Sequence, residues 1–96
     1  MLFVIFCIDK PDAAATRAAT MKAHVDYLAT GPIKLHMSGP LVADDDPDKV
    51  VGSLYVVEAA NRAEVEKFQA ADPLVAADIW ETVEVRAFNK RVGWND

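Results

Sequence analysis

The sequence predicts an α+β fold of order βαββαβ, with four antiparallel strands and both helices on one sheet face. Three observations point there. Two runs, Met1–Ile8 and Val50–Val57, are apolar on both faces, as central strands should be. Two segments carry helical spacing or a helix-capping pattern. Clusters of Gly, Pro, Asp and Asn separate these pieces.

Met1–Ile8 is rich in β-formers and stops at Asp9-Lys10-Pro11-Asp12, so it reads as the first strand. Asp12 is expected to cap the following helix. In that helix Ala14, Ala18, Met21, Val25 and Leu28 form one narrow apolar stripe. Gly31-Pro32 ends it. Ile33, Leu35 and Met37 then alternate with Lys34, His36 and Ser38, which predicts a half-buried strand with all three apolar residues on one face. Gly39-Pro40 interrupts or bends this strand, and Asp44–Asp48 reads as a loop. Val50–Val57 is the third strand. Asn61 caps a second helix, with Glu64 in capping-box position and Val65 and Phe68 as apolar anchors. Asp72-Pro73 stops it and starts a short further helix. The last strand runs from about Thr82 to Phe88, and Asn89–Asp96 is a tail.

With right-handed crossovers this order is the ferredoxin-like split βαβ motif, with strand order 4-1-3-2. Helices cover one sheet face only. Both faces of the central strands are apolar (Leu2, Val4, Phe6 and Ile8 against Phe3, Ile5 and Cys7; Leu54 and Val56 against Tyr55 and Val57), so the face without helices also needs cover. A second copy supplies it most simply, so the expected assembly is a homodimer with sheets face to face, a dimeric α/β barrel. Trp94 in the tail is a candidate to reach across to the partner.

Composition narrows the function. The chain has 96 residues, 52% hydrophobic and 26% charged, which reads as one domain spanning residues 1–96. Sixteen alanines inflate the apolar share. The net charge of −5 offers no basic face for nucleic acid and argues against docking on anionic membranes. One cysteine, Cys7, excludes an intrachain disulfide and a multi-Cys metal site. No run is long enough to span a bilayer and no signal-peptide pattern is visible, so a cytoplasmic address is expected.

Chemistry has few candidates. On a helical wheel with Met21 at zero, the apolar stripe spans about −20° to +60°, with His24 at about −60°, Arg17 at about −40° and Thr20 at about −100°. These polar groups flank the buried face, where a cleft can open. His24 is a candidate general acid or base. The alternative is a boundary residue with a backbone partner. Arg17 is a candidate fork for a carboxylate or phosphate, or else a solvated arm. Capping alone explains Asp72, although one carboxylate oxygen can cap while the other orients an imidazole. His36 reads as an interfacial residue rather than a ligand. Two histidines make a weak metal site, and Asp44–Asp48 lacks the alternating ligands and glycine of a calcium loop. No metal and no cofactor are expected.

Taken together, the opening strand Met1–Ile5, Asp9-Lys10, Arg17 with His24 seven residues on, Ser38-Gly39-Pro40-Leu41, and Asp72-Pro73-Leu74-Val75-Ala76-Ala77 resemble the YCII-related (YciI-like) family of small dimeric α/β-barrel proteins. The resemblance implies a ferredoxin-like subunit, a dimer, and an active site around His24 and Asp72. It implies pocket-lining roles for Arg17, Ser38 and Gly39. Asp78 departs from the pattern, since many relatives carry glycine there, and it is expected to add charge beside the pocket. A related group resembles dehydrochlorinases of chlorinated hydroxyquinols, in which a His–Asp pair removes a proton so that chloride leaves. The expected function is therefore cofactor-free acid–base chemistry, lyase- or hydrolase-like, on a small aromatic or anionic molecule. A non-catalytic ligand-binding or accessory module is the alternative, and a purely structural dimer is a third reading.

Overall fold

The computed structural model describes residues 1–93. In chain order the elements are β1 (Leu2–Asp9), α1 (Ala14–Ala29), β2 (Lys34–Ala43), β3 (Asp46–Glu58), α2 (Arg62–Ala70), α3 (Pro73–Ala76) and β4 (Trp80–Phe88). The four strands form one antiparallel sheet in the order β2-β3-β1-β4, which is 4-1-3-2 read from the other edge. The architecture is ferredoxin-like. Trp94 lies outside the described residues.

Residues directly opposite in an antiparallel ladder share a sheet face. Phe3 pairs with Val57, Ile5 with Tyr55 and Val85, and Cys7 with Ser53. This face carries the core, joined by Val65 and Phe68 of α2, Leu74 of α3, Ile79 and Trp80. The opposite face holds Val4 against Val56 and Phe6 against Leu54. There Phe6 stays 39% exposed. Both central strands are apolar on both sides, as their sequences require.

Helix ends follow their capping chemistry in two of three cases. Asn61 accepts from the Glu64 amide at 3.1 Å, while the Glu64 carboxylate accepts from the Ala60 amide at 2.6 Å. The Asp72 side chain accepts from the Leu74 amide at 3.0 Å, with Pro73 opening α3. The first helix differs. Its N-cap is Ala13, without a side-chain hydrogen bond, and Asp12 instead takes a left-handed backbone with φ of 64°. Asp12 serves the turn rather than the cap. At the other end Gly31, with φ of 68°, closes the helix in the conformation glycine favours.

Two further expectations change. A register shift between Leu35 and Met37 reverses the alternation of β2. Leu35 packs on the core, but Met37 turns to the opposite face and is exposed. The acidic loop is also shorter than expected. Only Asp44 and Asp45 form the turn, and Asp46, Pro47 and Asp48 belong to β3. The β2 strand runs through Gly39-Pro40 without ending, because an edge strand tolerates a proline whose missing N–H costs no ladder bond.

The largest difference is the rotation of α1. Arg17 and His24 are its buried residues, with Tyr27 and Leu28 partly buried against the core. Ala14 and Ala18 of the expected stripe are exposed, and Val25 is 53% exposed. The helix is therefore turned toward the flank on which the wheel placed its polar groups. Each of the stripe's two alanine methyls gains only roughly 0.8 kcal/mol on burial, so the Ala14–Ala18 end holds the helix weakly. Buried partners for Arg17 and His24, together with two large side chains, set the rotation instead.

Candidate active site

Once buried, a histidine and an arginine need partners, because unpaired buried polar groups are costly. The sheet and α3 supply them. His24 faces Asp72 across α1 and α3, with Nδ1 2.8 Å from the carboxylate oxygen Oδ1. His24 is 7% exposed and Asp72 2%. The same Oδ1 also accepts the Leu74 amide, so a single oxygen both caps α3 and orients the imidazole. A carboxylate can only accept, so Nδ1 is the donor, and in the neutral imidazole Nε2 then holds the lone pair. Among the described residues Nε2 has no hydrogen-bond partner. Such an arrangement can serve as a base whose tautomer is set by a buried carboxylate.

Arg17 is held differently. Nε and Nη2 clasp Asp9 at 2.8 and 2.7 Å, a bidentate fork, and Nη2 also donates to Ser53 Oγ at 2.9 Å. Sequence reasoning assigned no role to Asp9 or Ser53. Nothing local in the sequence pairs Arg17 with Asp9, eight residues before it, or with Ser53.

Tyr55, from the centre of β3, packs edge-on to the His24 ring at 6.2 Å, to Phe68 at 6.1 Å and to Trp80 at 6.4 Å. Tyr27 stacks on Phe68 at 5.8 Å and donates its hydroxyl to the Phe68 carbonyl at 2.8 Å. The dyad therefore sits against an aromatic wall. Burial, and then the Asp72 charge, push the Tyr55 phenol well above the usual tyrosine range. Ser53 is near enough to oppose this slightly, but it does not reach hydrogen-bonding geometry, and the Tyr55 hydroxyl has no partner among the described residues. Burial, followed by Asp72, also raises the Cys7 thiol to about 12, which makes it inert rather than nucleophilic.

Ser38 and Gly39 lie exposed on edge strand β2, in register with Tyr55 and Leu54. Ser38 thus shares a sheet face with Tyr55, while Gly39 is on the opposite face. No hydrogen bond among the described residues links either to His24 or Asp72. His36 pairs with Glu58 at 2.9 Å, which is the chief reason the Glu58 carboxyl lies below its usual range. Asp78 does not face the dyad; its exposed carboxylate binds Lys10 at 2.7 Å. Its φ of 57° explains why glycine suits this position.

Clefts open on the surface of the described residues. A cavity of about 910 Å³ is lined by Asp9, Arg17, Ala18, Met21, Lys49 and Val50, among others. One of about 440 Å³ is lined by Tyr27, Ile33, Lys34, Glu58 and Phe68, among others. Neither is lined by His24 or Asp72, although the first reaches Arg17 and the second the Phe68 side of the aromatic wall. Among the described residues no group of three or more His, Cys, Asp or Glu is placed to hold a metal ion. No helix among them is long and apolar enough to cross a membrane.

Comparison with known proteins bears on the family and the fold. The chain is 32% identical to the protein YciI of Escherichia coli over 96 residues, covering 94% of this chain and 98% of the relative. The YciI protein of Shigella flexneri matches equally. Among solved structures, the 5-chloro-2-hydroxyhydroquinone dehydrochlorinase of Burkholderia phenoliruptrix, in complex with 2,5-dihydroxybenzoquinone, superposes with a TM-score of 0.84. Its identity is 28%, over 93% of this chain and 94% of that one. An antibiotic biosynthesis monooxygenase shares the fold alone, with a TM-score of 0.56 at 18% identity. The model of the YCII-related domain matches residues 1–89, and the chain belongs to that family.

Proposed function

We infer that the protein is a cofactor-free acid–base enzyme acting on a small hydroxylated aromatic molecule, with His24 as base and Asp72 as its orienting carboxylate. The observation that carries this is the buried 2.8 Å contact between His24 Nδ1 and Asp72 Oδ1, which in the neutral imidazole leaves the lone pair on Nε2. Removal of a substrate proton by Nε2 leaves its electron pair on the substrate. Where the ring carries chlorine, tautomerisation first moves a hydroxyl proton to the chlorine-bearing carbon and makes it tetrahedral, and the pair left by the proton that Nε2 removes then closes a double bond as chloride departs with the carbon–chlorine electrons. Hydrogen chloride is lost overall, and Asp72 stabilises the imidazolium formed. The likeness to a dehydrochlorinase that binds a dihydroxyquinone supports this substrate class. Arg17 braces the helix carrying His24, Ser38 is a rim contact for the ligand, and Gly39, which faces the other way, contributes backbone alone.

The working unit in this reading is a homodimer. The apolar outer face of β1 and β3 supports it. So does the accessible surface of 6168 Å², against about 5,400 Å² for a compact monomer of this mass.

A binding module without catalysis is the second reading. The exclusion of His24 from both clefts favours it. Chloride release from 5-chloro-2-hydroxyhydroquinone separates the two. The enzyme reading expects turnover that His24→Ala and Asp72→Ala abolish while the dimer persists. Saturable binding with no chloride release supports the module. Turnover that both variants retain overturns the dyad.

A further inference from the structure

The buried aromatic wall contains polar atoms that the fold leaves unused. Tyr55 is 2% exposed and Trp80 9%, yet the Tyr55 hydroxyl and the Trp80 Nε1–H have no hydrogen-bond partner among the described residues. Burying such groups unpaired destabilises a protein, and native interiors rarely tolerate it. Here two occur on rings packed edge to face at 6.4 Å. A third atom without a partner, His24 Nε2, belongs to a ring edge-on to the same Tyr55. Phenylalanine at either position would keep most of the packing without the unpaired donor, so packing alone does not account for Tyr55 and Trp80.

The chemistry of the three atoms is complementary to one group. Nε2 is an acceptor and a base. The phenol and the indole are donors, and the phenol stays protonated because burial and Asp72 disfavour its anion. An acidic hydroxyl matches this set. Its proton passes to Nε2, its bonding pair remains on oxygen, and the oxyanion receives the two donors.

We propose that Tyr55 and Trp80 form the anion-stabilising half of the site, binding the ionising hydroxyl of a phenol or enol whose proton His24 takes. This rests on the reading of His24 as base and adds the group that is ionised. Both donors are sealed from solvent in the ligand-free chain, so side chains of the wall must shift for a ligand to enter. The 440 Å³ cleft, lined by Tyr27 and Phe68, adjoins the wall on the Phe68 side, and the larger cleft reaches Asp9 and Glu81 beside Trp80.

The test compares wild type with Tyr55→Phe, Trp80→Phe and His24→Gln, by thermal unfolding without ligand and by calorimetry with 2,5-dihydroxybenzoquinone. Without ligand, Tyr55→Phe is expected to unfold at a higher temperature than wild type, because an unpaired buried hydroxyl is removed. With the quinone, Tyr55→Phe is expected to bind roughly 10- to 100-fold more weakly, the loss typical of a hydrogen bond to a charged group. Trp80→Phe should weaken binding in the same direction. A lower unfolding temperature for Tyr55→Phe overturns the proposal, since the hydroxyl then has a structural partner such as a bound water. Unchanged quinone affinity in Tyr55→Phe, with His24→Gln weakened, overturns the proposal and leaves the dyad standing. A wild-type chain that does not bind the quinone overturns both.

Discussion

Replacing Arg17 by methionine tests how α1 is held. Methionine keeps much of the aliphatic stem, so packing changes little, but Asp9 loses its partner. The Asp9 and Arg17 side chains are each 8% exposed, so solvent screens the pair little and the discount for surface ion pairs does not apply. Three contacts disappear: two in the Asp9 fork and one to Ser53. Summing their individual strengths would overstate the effect, because the contacts share one guanidinium. Stranding one partner of a buried pair costs about 3–5 kcal/mol. Total stability for a 96-residue domain is on the order of 5–14 kcal/mol, so Arg17→Met should be folded but severely weakened. Urea unfolding measures it. The double variant Asp9→Asn/Arg17→Met should regain part of the loss, because no unpaired charge remains. A loss below about 1 kcal/mol, or a double variant no better than the single, would refute the claim that this pair fixes the helix rotation.

The Cys7 thiol should resist iodoacetamide at pH 8 in the native protein and react only after unfolding, because burial holds its pKa near 12; rapid native alkylation would contradict the placement. With folded-state pKa values raised, Cys7 and Tyr55 contribute stability that is complete below about pH 9 and falls as pH rises from there, so midpoints of unfolding should drop in alkali and drop less in Cys7→Ala. Asp78→Gly should be neutral or stabilise by up to about 1 kcal/mol in urea unfolding, since relief of the left-handed backbone outweighs an exposed ion pair with Lys10. Gly52→Ala should cost on the order of 2–4 kcal/mol, because the new methyl would collide with the Cys7 carbonyl and part β1 from β3; wild-type stability in that variant would contradict the register of the central strands.

The sheet was legible because both central strands are apolar on two faces and the edge strands are not. Strand order followed from that contrast and from handed crossovers. The caps at Asn61 and Asp72 were legible because capping is local chemistry. The rotation of α1 was not. A wheel scores apolar residues, and here alanines outnumber large ones, while the buried positions Arg17 and His24 depend on partners 8 and 48 residues away. The shift in β2 escaped for a similar reason. Nothing between Leu35 and Met37 marks a bulge, which is decided by pairing with β3. His24 and Asp72 were legible as residue types, and the family resemblance placed them in one site; the atoms that meet, Nδ1 and Oδ1, required the fold. Asp9, Ser53, Tyr55 and Trp80 carried no local sign of their place around the dyad.

The central claim is that Asp72 fixes the tautomer of His24 so that Nε2 is the base. Nitrogen-15 NMR of the imidazole reads this directly, with no substrate required. In the neutral form His24 should be protonated on Nδ1, with Nε2 bare, and Asp72→Asn should abolish that preference. A neutral His24 protonated on Nε2, or a tautomer indifferent to Asp72→Asn, would contradict the account.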